Sequence, residues 1–139
     1  MNSAAVPHSN RILTVSTITF TVCFAVWTIF AIIGVKIKEE LGLNETQFGL
    51  LVAMPILTGS LIRLALGIWT DQIGGRIMLV GVMLASAIST YLLTTVNTYE
   101  LYLVAALGVG IAGGGFSVGI AYVSKFFPKE KQGTALGVF

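Results

Sequence analysis

The sequence predicts an all-α membrane protein with four transmembrane helices. Three observations point there. Hydrophobic side chains make up 55% of 139 residues, charged ones only 10%, and mean hydropathy is +0.91, far more apolar than a soluble domain of this length. Four uninterrupted apolar stretches, about Leu13–Val35, Phe48–Thr70, Ile77–Thr95 and Leu101–Val123, each reach the roughly 20 residues a helix needs to cross the hydrocarbon core. The stretches are continuous and do not alternate in ten-residue segments, which excludes barrel strands.

Residues 1–12 form a short polar tail. The first span, 23 residues with no convincing small-residue cleavage site and more spans behind it, is a membrane helix and not a secretory signal. Cys23 lies alone within it, so neither a disulfide nor a CxxC site can form, and packing is its expected role. "KIKEELGLNETQFG" forms the loop to span 2, and "NETQ" has the spacing of a helix start, with Asn44 as N-cap and Gln47 as its capping-box partner. The short "DQIGGR" makes spans 2 and 3 antiparallel neighbours. "VNTYE" does the same for spans 3 and 4, with Tyr99 and Tyr102 suited to the membrane interface. Beyond span 4, "SKFFPKEKQGTALGVF", residues 124–139, begins basic and aromatic, is broken by Pro128, and turns apolar as though a fifth span were starting. The expectation is a fragment of a longer protein.

The distribution of positive charge sets the orientation. Arg11, Arg76, Lys125, Lys129 and Lys131 lie in the N-terminal tail, second loop and C-terminal segment, against Lys36 and Lys38 in the first loop. Five against two places the N-terminus in the cytoplasm. A net charge of +2 distributed this way gives no reason to expect nucleic acid as a partner. No catalytic, metal-ligating or cofactor-binding constellation is expected, and the single histidine, His8, is in the tail.

One residue departs from this apolar pattern. Arg63 lies about four residues past the middle of span 2, or ~6 Å toward the cytoplasm. Snorkelling to the inner headgroups is the structural alternative, but Thr70 is still roughly 10 Å further along the axis, a long reach for one side chain. All six carboxylates, Glu39, Glu40, Glu45, Asp71, Glu100 and Glu130, fall outside the spans, so no intramembrane acid of this chain can neutralise it. A bare cation in low dielectric costs several kcal/mol, so an anion is needed from another part of the protein or from a substrate. Arg suits a planar anion, because its fork donates two parallel hydrogen bonds.

Gly59 and Gly67, four residues either side, share the face of Arg63 with Val52, Ile56 and Thr70. They either leave room for a ligand or allow close helix packing. Span 4 carries "GVGIAGGGFSVG", residues 108–119. Its G-x-G-x-x-G follows no strand, so a dinucleotide site is excluded. The glycines mark a tight helix contact or a thinned wall beside a cavity, with Phe116 and Ser117 either facing a path or filling the contact.

"GIWTDQIGGR", residues 67–76, resembles the major facilitator signature G-x-x-x-D-[RK]-x-G-[RG]-[RK], with Gln72 where the signature has a basic residue. Together with "TGSLIR", "GGGFSVG" and "FFPKEKQGTALG", the pattern over nearly the whole chain resembles the nitrate/nitrite porter branch of the major facilitator superfamily. That resemblance implies the first four helices of the N-terminal six-helix bundle in a twelve-span, sometimes fourteen-span, transporter of the inner (plasma) membrane. Domain boundaries would be tail 1–12, helices 13–123, and loop plus the start of helix 5 at 124–139. Arg63 would bind nitrate or nitrite opposite a second arginine from the missing C-terminal half, with Gly59, Phe116 and Ser117 around the anion. Gly67, Asp71, Gly74, Gly75 and Arg76 would close the cytoplasmic side as the bundles rock. The family's glycine-rich nitrate signature on helix 5 lies beyond Phe139. No group titrating near neutral pH lies in a span, so anion exchange is as well supported as proton coupling. The alternatives are a major facilitator for another small or organic anion, and a non-transport membrane partner subunit.

Overall fold

The computed structural model describes residues 8–139. It is a bundle of six helices: α1 (Ser9–Leu41), α2 (Glu45–Ile73), α3 (Gly75–Leu93), α4 (Tyr99–Gly113), α5 (Gly115–Ser124) and α6 (Lys129–Val138). No strand occurs among the described residues. α1, α2, α3 and the joined α4–α5 are long and apolar enough to cross a membrane, so the four expected spans are present.

The helix ends differ from the apolar boundaries. α1 begins at Ser9 and runs to Leu41, 33 residues or roughly 50 Å, well beyond a hydrocarbon core of ~30 Å. The segment "KIKEEL" expected in the loop is helical, because Lys, Glu and Leu are good helix formers whatever their polarity. Gly42 ends it in the left-handed conformation at φ 61°, and the Leu43 N–H reaches back to the Lys38 carbonyl at 3.0 Å, the wider bond of a Schellman motif. Two residues later the capping box forms as expected. Asn44 Oδ1 accepts from the Gln47 N–H at 2.8 Å, and Gln47 Oε1 accepts from the Asn44 N–H at 3.1 Å. Tyr99 is half-buried at this end of the bundle, and its hydroxyl donates to the Gln47 carbonyl at 3.0 Å.

The fourth span is the centre of the bundle. Just over half of its apolar window is buried (56%), against 22% for each of the other three. Its small residues make this possible: Ala106, Val109, Ala112, Val118 and Val123 are fully enclosed. Around it lie two apolar clusters. One, at the α1–α2 turn end, joins Phe30, Ile37, Leu51, Leu93 and Val109; the other, toward the α2–α3 turn, joins Cys23, Leu66, Leu79, Val82 and Val118. Several hydroxyls inside the spans donate to their own helix, as Thr70 does to Leu66 and Ser86 to Val82, both at 2.6 Å. Large apolar side chains such as Leu64, Ile32 and Leu61 point out of the bundle, an arrangement suited to lipid or further helices and not to water.

Pro128 stops the fourth span as expected and becomes the N-cap of α6. Gln132 Nε2 covers the end of α5, donating to the carbonyls of Ser124 at 2.8 Å and Phe127 at 3.1 Å. Phe139 then stacks on Phe20 and Phe116.

Candidate functional site

The contact between α2 and α4 is glycine-made and carries Arg63. A Cβ on Gly59 would lie 3.0 Å from the Gly110 carbonyl oxygen and 3.7 Å from Gly113 Cα, so Gly59 permits close backbone approach and does not face open space. Gly114 is pressed against Leu66 in the same way. Only Gly67, of the two glycines flanking Arg63, has nothing within 4 Å of its Cβ position.

The fourth span is interrupted at Gly114, where a continuous helix was expected. The Gly114 N–H closes a tight bond to Ile111 at 2.9 Å, and the Ser117 N–H pairs with Gly114 at 3.2 Å, one residue short of the regular α-helical partner. Arg63 Nε takes up the Gly113 carbonyl at this break, 3.2 Å away and fifty residues along the chain. Its guanidinium carbon also lies 5.9 Å from the centre of the Phe116 ring, within cation–π range. Arg63 is half-buried and forms no ion pair among the described residues. One carbonyl dipole and one ring face steady the cation without neutralising it, so the rest of its fork can take an anion.

The other expected site residues divide. Phe116 is brought to Arg63. Ser117 is adjacent, but its hydroxyl already donates to the Gly114 carbonyl at 2.9 Å, which makes it a support of the helix break and not a free donor. An aromatic row went unread in the sequence: Phe20, Phe24 and Trp27, at helical spacing on α1, stand in a chain of ring contacts of 5.8 and 5.6 Å. Phe20 touches Phe116 at 5.4 Å, and Trp27 Nε1 donates to the Pro55 carbonyl at 3.3 Å. The i, i+4, i+7 recurrence of aromatic residues was the available signal.

At the α2–α3 turn, Gly74 adopts φ 104°, a conformation that favours glycine, and Gly75 lies against the Tyr122 ring with no space for a side chain. Asp71 pairs with Lys125 at 3.0 Å, joining the ends of α2 and α5. Both groups are largely exposed, so the pair contributes at most ~1 kcal/mol to stability. Asp71→Asn is therefore expected to leave thermal stability within that limit. A large melting shift would contradict the weak-pair reading. Gln72 and Arg76 are exposed beside it.

Four helices long and apolar enough to cross a membrane define a polytopic membrane protein. The chain belongs to the Major Facilitator Superfamily, whose sequence profile matches residues 15–139. It is similar to a protein named "Probable nitrate/nitrite antiporter NarK1" from Thermus thermophilus, at 46% identity over 96% of this chain and 30% of that protein. It is also similar to the "Probable nitrate transporter NarT" of Staphylococcus carnosus, 29% identical over 91% of this chain and 33% of that protein, and to that of Staphylococcus aureus strain JH9 at 30% identity. The chain thus spans about a third of the length of these relatives.

Proposed function

We propose that this chain forms the first four helices of a transporter of nitrate and/or nitrite that works by alternating access, by uptake or by nitrate/nitrite exchange. The observation that carries the reading is Arg63, held at the α2–α4 contact by the Gly113 carbonyl and the Phe116 ring with no carboxylate partner among the described residues. Nitrate and nitrite are small, planar and anionic, matching a guanidinium that donates in one plane against an aromatic face. The names of the relatives in Thermus and Staphylococcus support the same substrate.

In this mechanism Arg63 makes charge-assisted hydrogen bonds to the anion, and Phe116 covers it from one side. Gly59 lets α4 come close enough for Gly113 to steady the arginine. A second arginine from the C-terminal half completes the charge balance as the halves rock about the site. Gly67, Asp71, Gly74, Gly75 and Arg76 form the closure on the α2–α3 side, and the positive-charge bias supports a cytoplasmic position for it in an inner-membrane protein. The tail at 1–12, the helices at 13–123 and the start of helix 5 within 124–139 are the corresponding divisions.

Uptake of labelled nitrate by proteoliposomes of the parent protein, preloaded with nitrite or left empty, tests this. The expected result is saturable uptake, accelerated by internal nitrite if the protein exchanges. Flux that never saturates would indicate a channel. No flux of either anion would turn the reading to a different anion or to a non-transport partner subunit.

A further inference from the structure

A second cationic site lies away from Arg63, in a groove between α1 and α3 at the α2–α3 turn end. Its volume is about 430 Å³, and its lining runs from charged to apolar: Arg11 and Arg76 come with an apolar wall that includes Val15, Val80 and Met83. Neither arginine pairs with an acid among the described residues. Ser16 also lines it, with 1% of its surface exposed. Its Oγ is the buried side-chain polar atom without a hydrogen-bond partner among the described residues, whereas neighbouring hydroxyls on the same helix, such as Thr17, donate to their own backbone. An unmade hydrogen bond of this kind is costly, so the hydroxyl calls for an acceptor other than the described residues.

We propose that this groove holds an anionic phospholipid. The phosphate would sit between Arg11 and Arg76, whose forks match its oxygens. Ser16 lies five residues along α1 from Arg11, or ~7.5 Å deeper, the level at which a lipid presents its ester carbonyls as acceptors. The apolar wall then takes the acyl chain. This gradation from two cations to a hydroxyl to hydrocarbon fits an amphiphile and not a free phosphate ion. Basic pockets between membrane helices hold anionic headgroups by the same physics.

The test uses the parent protein in nanodiscs containing both phosphatidylglycerol and phosphatidylcholine, with retained lipid counted by native mass spectrometry. Phosphatidylglycerol should be retained preferentially, and Arg11→Gln should weaken its retention about fivefold, the usual effect of one basic side chain at a membrane surface. Ser16→Ala should weaken it less, and Arg11→Lys should restore most of it. Soluble glycerol phosphate should not compete. Equal retention of the two lipids, an Arg11→Gln variant that retains phosphatidylglycerol like its parent, or full displacement by glycerol phosphate would each overturn the proposal. A further helix of the parent covering the groove would appear as the first of these. The readout is lipid retention and not nitrate flux, so its failure is separable from failure of the transport reading.

Discussion

Arg63→Lys should weaken nitrate or nitrite binding by roughly ten- to a hundredfold, the effect of losing one charge-assisted hydrogen bond in a partly buried site. Lysine keeps the positive charge, so general attraction for anions survives. It loses the planar fork, and with it the Nε that donates to Gly113 and fixes the orientation of the group. The ammonium would also stand differently toward Phe116, whose ring now faces the guanidinium. The concentration dependence of uptake by the parent protein and its variant measures the effect. Affinity like that of the parent would mean that charge alone matters and the fork does not touch the substrate.

Gly110→Ala is the substitution expected to cost most in stability. The added methyl would lie 2.6 Å from the Pro55 carbonyl oxygen, 2.7 Å from Thr58 Cβ and 3.1 Å from Pro55 Cα. Two of these three atoms are backbone, so the strain cannot be relieved by turning a side chain; α2 and α4 must separate. Overpacking of this kind costs about 1–3 kcal/mol. Separation would also withdraw the Gly113 carbonyl from Arg63, so affinity should fall with stability. Gly67→Ala provides the contrast, since its Cβ position is open and the lost backbone freedom of the unfolded chain should leave stability unchanged or raise it by up to about 1 kcal/mol. Thermal unfolding of the parent protein and both variants in detergent checks the pair. Equal stability in all three would contradict the close α2–α4 contact.

The features legible in the sequence were those set by local physics. Continuous apolar length identified the spans, and the Asn44/Gln47 spacing identified the start of α2. The helix ends were less legible, because "KIKEEL" is polar enough to leave the bilayer yet helical by propensity. Arg63 stood out by charge alone. Its surroundings did not, because Gly113 is fifty residues away and becomes available where a glycine-rich helix is interrupted. The same reason hid Lys125 as the partner of Asp71. Gly59 and Gly67 are equivalent by helical spacing, and only the position of α4 separates a packing glycine from an open one.

The proposed transport stands on Arg63 as the anchor of the anion. Nitrate/nitrite counterflow in proteoliposomes, compared between the parent protein and an Arg63→Ala variant reconstituted to equal density with its folding verified, tests this most directly. Saturable exchange is expected of the parent, and its loss in the variant. Exchange retained by a folded Arg63→Ala protein would contradict it and leave Arg63 a structural or snorkelling residue.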